Sequence, residues 1–213
     1  MLKLFYAPTA PSLRVLLFLE ETGTSYSKFP MNVFKKQNHN EEYAKIIPTK
    51  KTPSLLDDGK VFFDSANILL HLAQKENKLL PKENFNEVLS WFFWGASELN
   101  PKFAHHYQAD DSNPEMLIRI RKQLDTLLAL LDSHLSNKDY VAGTYSIADI
   151  NIYTTIKTRL GAIPDLLNNF PNIQKWVNNI DKKESTKKVF DLAVNFDREA
   201  LITSEEIKNF LHS

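Results

Sequence analysis

The chain contains no cysteine among its 213 residues. Without a thiol it has no disulfide framework, no cysteine nucleophile and no thiolate metal site. Charge of one sign is also missing, because 26 basic residues balance 26 acidic ones. Since binding to phosphate backbones needs an excess of Lys and Arg, this balance argues against nucleic acid as the main partner.

Metal ligands and membrane segments are scarce as well. Six histidines are present, but none lies in an HExxH pattern, and the adjacent His105 and His106 point in different directions on a helix. We therefore expect no metal. The start of the chain, MLKLFYAP, fits neither a signal peptide nor a spanning helix. A cytoplasmic protein without membrane association is the resulting expectation.

The first part of the chain alternates strand and helix patterns. The turn Asp57-Asp58-Gly59-Lys60 between two apolar runs is a strong hairpin signal. In chain order we predict a strand at 2–6, a helix from 12, a strand at 26–33, a helix at 41–46, strands at 54–56 and 61–63, and a helix from 65. This order is the thioredoxin-like layout.

The character of the sequence changes after Leu79-Leu80-Pro81, because no further strand pattern follows. We predict a long helix at 85–107 kinked by Pro101, a helix opened by Asn113 and Pro114, and further helices at 146–160, 171–181 and 204–211. The chain therefore divides into an α/β thioredoxin-like domain, residues 1–80, and an all-α helical domain, residues 81–213.

Three loop segments of the first domain carry polar chemistry. In KTPSLL, a cis Thr52–Pro53 bond would present the Thr52 backbone to a ligand, whereas a trans proline would only open the strand. In FFDSANI, the Ser65 hydroxyl and the helix N-terminus suit a carboxylate, or Ser65 is a simple N-cap. In APTAPS, Thr9 and Ser12 place hydroxyls where a thiol pKa is lowered, or they are turn and cap residues.

In the predicted layout, all three of these segments lie at one edge of one sheet. Together they resemble the glutathione contacts of glutathione transferases. IPTKKTPSLL is similar to the stretch around that family's cis-proline, and DSANILLHLA is similar to its glutamate-serine motif. AGTYSIADI, in which Ser146 and Asp149 form a capping box, resembles a structural motif of the helical domain. The resemblance runs from Leu2 to about Val189. It implies the glutathione-transferase fold, with a glutathione-binding domain at residues 1–80 and a second-substrate domain at 81–213.

The resemblance also implies roles for single residues. Thr52 would pair its backbone with the cysteinyl part of glutathione, and Pro53 would be the cis residue. Asp64 and Ser65 would hold the γ-glutamyl end, although Asp64 is one methylene shorter than the usual glutamate. Lys51 would approach the glycine carboxylate.

The catalytic position is open among three residues. Thr9 stands where serine-type relatives have their catalytic serine. Against the bacterial beta-type enzymes, to which the chain is most similar, Pro11 occupies the position of the catalytic cysteine, so cysteine-linked chemistry is lost. Tyr6 lies near the tyrosine of tyrosine-type enzymes. Thr9 is the first candidate, followed by Ser12 and Tyr6.

The second domain supplies further candidates. ASELNPKF resembles the beta-type second-domain helix, with Asn100-Pro101 in place of histidine-lysine. Asn100, Phe103 and Tyr107 are spaced to share one helix face and so to line a second-substrate pocket, or Phe103 is core. By the resemblance, Glu98 would reach the glutathione of a neighbouring subunit.

The expected activity is therefore that of a glutathione S-transferase, a detoxification enzyme. With glutathione as co-substrate and no metal, it would activate the thiolate for attack on a small hydrophobic electrophile. The resemblance also implies a cytoplasmic homodimer, with no nucleic-acid or membrane partner. Two alternatives stay open, which are a glutathione-dependent peroxide or disulfide reductase and a non-catalytic binding protein of the same fold.

Overall fold

The computed structural model describes residues 1–108 and 114–213 of the chain. The predicted cap residue Asn113 lies outside these residues. The chain forms two compact units, of which one comprises Met1–Glu76 with Glu184–Ser213 and the other Asn77–Lys183. No helix among the described residues is both long enough and apolar enough to cross a membrane.

The first unit is built on a mixed four-stranded sheet. Its strands are β1 Leu2–Tyr6, β2 Tyr26–Pro30, β3 Ser54–Asp57 and β4 Lys60–Phe63, in the order β2-β1-β3-β4. Strand β1 is parallel to β2 and antiparallel to β3, and β3 is antiparallel to β4. The predicted hairpin between β3 and β4 is confirmed, with Gly59 at φ 79° in its turn.

One row of the sheet aligns three loops. Phe5 lies opposite Ser54, and Ser54 lies opposite Phe63. The loop after β1, the segment before β3 and the segment after β4 therefore leave the sheet at the same end. This confirms the prediction that the three polar segments lie at one edge of one sheet.

Five helices complete the first unit. They are α1 Ala10–Thr22, α2 Glu41–Ile46, α3 Ser65–Glu76, α9 Glu184–Val194 and α10 Ser204–His212, with 3-10 turns at Val33–Lys35 and Gln37–His39. Helix α9 lies against α1, and α10 lies against α2. The fully buried Phe5, Tyr43 and Ile207 share one apolar cluster, so α10 closes part of the core around the sheet.

The last two helices belong to the first unit, which differs from the predicted domain boundary at residue 80. Residues 184–213 belong to the first compact unit rather than to the helical one. Helix periodicity shows which face of α9 or α10 is apolar, but it does not show which partner that face covers.

The second unit is helical. It contains α4 Phe85–Trp94, α5 Asn100–Gln108, α6 Pro114–His134, α7 Ile147–Lys157 and α8 Pro171–Asp181, with a 3-10 turn at Leu135–Asn137. The predicted helix 85–107 is interrupted by a π-helix at Gly95–Leu99 rather than simply kinked at Pro101. Pro101 has no N–H to donate to the preceding turn. The π-helix ahead of it has a wider hydrogen-bond spacing, so no hydrogen bond from Pro101 is required there.

The capping box of α7 is confirmed. The buried carboxylate of Asp149 accepts hydrogen bonds from the backbone N–H and the hydroxyl of Ser146, both at 3.0 Å. It also accepts from the backbone N–H of Val141 at 2.9 Å and the indole N–H of Trp176 at 3.0 Å. One side chain thus links the start of α7 to the preceding loop and to α8.

Candidate functional site

A cavity of about 410 Å³ lies at the end of the sheet where the three loops meet. Its lining residues are Pro11, Thr49, Lys51, Thr52, Pro53, Phe63, Asp64 and Ser65. All five residues predicted to hold glutathione are among them. The volume falls within the range of small-molecule sites, and every lining residue belongs to the first unit.

The edge of the cavity next to β3 is formed by Thr52 and Pro53. The bond between them is cis, as predicted. Among the described residues, neither the backbone N–H nor the C=O of Thr52 has a hydrogen-bond partner. An extended ligand backbone can therefore pair with Thr52 as an added strand would.

Two side chains that the sequence did not single out hold this segment in place. The Tyr43 hydroxyl donates to the Lys51 carbonyl at 2.7 Å and lies 2.9 Å from the Ser54 hydroxyl. The Asn38 amide donates to the Lys50 carbonyl at 2.6 Å. A buried tyrosine on a short helix resembles an ordinary core residue in a sequence, so the pattern alone does not reveal these hydrogen bonds.

Asp64 directly precedes α3, and its backbone lies in the left-handed region, at φ 68°. Its Oδ1 accepts from the backbone N–H groups of Ala66 at 2.9 Å and Asn67 at 3.3 Å. The helix N-terminus is thus partly occupied by the chain's own carboxylate, which differs from the expectation that a ligand anion takes these donors. The backbone N–H of Ser65 remains without a partner among the described residues.

A buried cation lies below this helix start. Arg14 on α1 is only 3% exposed, and its guanidinium donates to the Ser65 hydroxyl at 3.4 Å. Burial lowers the pKa of Arg14 to about 10, while the charge of Asp64 opposes that shift, so Arg14 stays protonated at neutral pH. The Ser65 hydroxyl accepts from Arg14 and so keeps its own proton for a ligand. An arginine inside an apolar helix pattern was the signal that could have revealed it.

The three catalytic candidates occupy different places. Thr9 is the N-cap residue of α1, but its hydroxyl makes no capping bond and has no partner among the described residues. Ser12 is fully buried, and its hydroxyl accepts from the Ala7 N–H at 3.1 Å. Ser12 therefore fixes the turn after β1 and does not reach the cavity.

Tyr6 is also removed from the cavity. Its ring lines a separate space with Phe196, to which it lies edge-on at a centroid distance of 6.2 Å, and the two cavities share no lining residue. Burial raises the pKa of Tyr6, so it stays protonated. None of the three candidates is among the lining residues of the cavity of about 410 Å³. Thr9 is the one whose unbonded hydroxyl lies at the N-terminus of α1, and the first turn of that helix carries the lining residue Pro11.

The residues predicted to line a second-substrate pocket all lie on α5, but their surroundings differ. Asn100 hydrogen bonds to Thr155, and its amide donates to Asn151 at 3.5 Å, which fixes it to α7. Phe103 is 1% exposed and packs in the core, which is the alternative that the sequence left open for it. Tyr107 is 73% exposed beneath the Arg159 guanidinium, 5.1 Å from its ring centroid.

Glu98, on the π-helix, is exposed. In the part of the chain that the structure describes, no group of three or more His, Cys, Asp or Glu is placed to hold a metal ion.

Two family models and several known proteins match this chain. The family model "Glutathione S-transferase, N-terminal domain" matches residues 1–74, and "Glutathione S-transferase, C-terminal domain" matches residues 99–184. A glutathione S-transferase domain-containing protein of Dictyostelium discoideum is 34% identical over 210 residues, covering 87% of this chain and 80% of that protein. The disulfide-bond oxidoreductase YfcG of Escherichia coli is 28% identical over 200 residues, covering 87% of this chain and 93% of YfcG.

Solved structures have the same fold. Glutathione transferase YghU from Streptococcus pneumoniae, complexed with glutathione, is 27% identical with a TM-score of 0.81, covering 90% of this chain and 82% of its own. A glutathione transferase from Pseudomonas putida, with one glutathione disulfide bound per subunit, has a TM-score of 0.83 over 90% of this chain and 91% of its own. At 22% identity, this match supports the fold alone. The matches confirm the predicted fold class, an α/β thioredoxin-like domain followed by a helical one.

Proposed function

Because this chain belongs to the glutathione S-transferase family, we propose that it binds glutathione at the end of its sheet and activates the thiolate for attack on a small hydrophobic electrophile. The observation that carries the proposal is the aligned row Phe5, Ser54 and Phe63. It places Thr52 and Ser65 on one cavity next to the turn after β1.

The γ-glutamyl end of glutathione carries an ammonium and a carboxylate on the same carbon. The exposed Asp64 carboxylate, which uses Oδ1 for the helix, offers Oδ2 to the ammonium. The Ser65 hydroxyl and backbone N–H suit the carboxylate, and the Arg14 charge below Ser65 adds attraction. The site therefore has complementary groups for both ends of an α-amino acid.

The remaining peptide fits the other edge of the cavity. Thr52 offers a backbone donor and acceptor to the cysteinyl unit. The Lys51 ammonium lines the cavity, is exposed and has no ion-pair partner among the described residues, so it is available for the glycine carboxylate. We assign Thr9 to donate a hydrogen bond to the sulfur, because its hydroxyl is unused at the N-terminus of α1.

Such a site lowers the pKa of a bound thiol from its ordinary value of about 8.5. The thiolate then attacks the electrophilic carbon, the carbon–sulfur bond forms, and the leaving group departs with its electron pair. The protein contributes the ionised nucleophile and its proximity to the electrophile, with no covalent enzyme intermediate.

Calorimetric titration with glutathione tests the binding step. Ser65→Ala removes a hydrogen bond to a charged group, so we expect affinity to fall about 10- to 100-fold. Ser90→Ala is the control, because that hydroxyl donates to the Asn86 carbonyl on an exposed face of α4. Equal affinity in both variants would remove Ser65 from the site, and no binding to the wild-type protein would exclude the function.

The pH–rate profile with a generic electrophile tests the thiol step. Thr9→Val keeps the shape of the side chain but removes the hydroxyl that would donate to the sulfur. We therefore expect the rate profile to shift to higher pH than in the wild type, because the pKa of the bound thiol is raised. Thr9→Ser should restore the wild-type profile. A profile that Thr9→Val leaves unchanged would mean that another donor serves the sulfur.

A second candidate function is disulfide reduction, which the relatives named disulfide-bond oxidoreductases favour. Since the chain has no cysteine, glutathione must supply both electrons. Two glutathione molecules reduce one disulfide to two thiols and become glutathione disulfide. Turnover of a small disulfide without turnover of the electrophile would select this function.

The family further supports a cytoplasmic homodimer. We propose that Glu98 approaches the glutathione of the second subunit. Sedimentation at micromolar concentration would show the assembly, and Glu98→Gln should weaken glutathione binding only if Glu98 has this role.

A further inference from the structure

A second cavity of about 250 Å³ lies beneath the segment that joins α9 to α10. Its lining is mostly apolar and includes Tyr6, Asn32, Asn195, Phe196, Asp197 and Ala200. All of these residues belong to the first unit, and none lines the proposed glutathione cavity. This space is therefore a separate candidate site.

Most polar side chains at this cavity are already hydrogen bonded. The buried Asn32 amide donates to the carbonyls of Arg198 at 2.7 Å and Ala200 at 3.0 Å. Oδ1 of Asp197 accepts from the Glu199 N–H at 2.9 Å and the Ala200 N–H at 3.1 Å, whereas Oδ2 of this exposed side chain takes no part in these bonds. Asn195 donates to the Asp191 carbonyl at 2.9 Å. These bonds form the wall rather than a recognition surface.

The Tyr6 phenol is different. Its side chain lines the cavity and is 6% exposed, yet its hydroxyl has no hydrogen-bond partner among the described residues. The hydroxyl is not among the buried polar atoms that lack a partner, so it keeps access to solvent, and an acceptor bound in the cavity would take the place of a hydrogen bond to water. Because burial raises the pKa of Tyr6, the group stays a donor rather than becoming an anion.

We propose that this cavity binds a small, mostly apolar molecule whose single oxygen acceptor receives a hydrogen bond from Tyr6. The size limits the class, because an apolar cavity of roughly 150 Å³ already holds benzene. A cavity of 250 Å³ takes one aromatic ring with a short carbonyl, ether or nitro substituent. The Phe196 ring, which lies nearly perpendicular to the Tyr6 ring, lines the cavity and provides an aromatic wall for such a ring.

Fluorine NMR titration in the absence of glutathione tests the proposal, with 4-fluoroacetophenone as the probe and 4-fluoroethylbenzene as a probe of similar shape without the carbonyl. In the wild type we expect the ketone to bind more tightly. Tyr6→Phe should weaken ketone binding roughly threefold to tenfold and leave the hydrocarbon unchanged. If Tyr6→Phe affects both probes equally, or neither, the hydrogen bond to Tyr6 is refuted.

Two further variants locate the probe. Ala200→Leu adds three carbons to the cavity wall and should reduce binding of both probes. Ser65→Ala, which changes the other cavity, should leave both unchanged, so failure of this proposal is distinguishable from failure of the glutathione site. Ketone binding that is lost in Ser65→Ala but retained in Ala200→Leu would place the probe in the wrong cavity and overturn the proposal.

Discussion

The Tyr43 hydroxyl anchors the segment that carries Lys51 and Thr52, and its removal should cost both stability and glutathione affinity. Tyr43→Phe deletes the bond to the Lys51 carbonyl and the contact with the Ser54 hydroxyl, which is fully buried. Leaving buried groups without partners costs about 1–3 kcal/mol. For a chain of this size, a loss of about 2 kcal/mol lowers the melting temperature by roughly 4–8 °C.

The same substitution should weaken glutathione binding. Without this hydrogen bond, the segment that carries Lys51 and Thr52 is less ordered in the free protein. Part of the binding free energy then goes into ordering it, and we expect affinity to fall about fivefold or more. Burial raises the pKa of Tyr43 to about 12, so the phenol stays protonated and the loss should be the same from pH 6 to pH 9. Differential scanning calorimetry and calorimetric titration provide the two measurements.

Tyr26→Phe is the matched control. Its phenol donates to Glu20 at 2.6 Å, in the same unit but on edge strand β2. This variant should lose stability without losing glutathione affinity. If Tyr43→Phe behaves in the same way, Tyr43 only stabilises the fold and its positioning role is refuted.

Three further predictions concern other buried groups. Arg14→Met removes the positive charge below Ser65, and we expect glutathione affinity to fall about tenfold by calorimetric titration, whereas unchanged affinity would show that the charge does not act on the ligand. Asp149→Asn places an amide donor among four donors and should cost about 2–4 kcal/mol in urea unfolding. Burial raises the folded pKa of Asp149 from 3.8 to about 6. The free energy of unfolding of the wild type should therefore fall as pH rises through that interval, and Asp149→Asn should not show this fall. Gly95→Ala brings a Cβ within 2.9 Å of the Asn151 amide nitrogen, and a thermal melt should show a loss of about 1–3 kcal/mol.

Local signals in the sequence predicted the elements that position the site. The hairpin turn, the proline before β3 and the serine at the start of α3 each carry a backbone or capping preference, and each lies where the sequence placed it. Because β3 runs antiparallel to β1, these signals also predicted that the loops meet at one end of the sheet.

What the sequence could not settle is which polar side chain faces the ligand. Thr9 and Ser12 lie three residues apart at the start of one helix. Ser12 is buried because its hydroxyl packs against the turn after β1, which the sequence does not show. Arg14 and Tyr43 resemble core residues in the pattern, because their polar atoms find partners only in the folded chain. Phe103 has the spacing of a pocket residue and the burial of a core residue, and spacing does not distinguish the two.

The membership of residues 184–213 in the first unit has a consequence for protein synthesis. The strands of that unit are among the first segments translated, but Ile207, which joins Phe5 and Tyr43 in one cluster, is translated after the whole helical unit. A nascent chain halted before residue 184 carries the sheet without α9 and α10. The part of the protein that is made first is therefore the part that matures last.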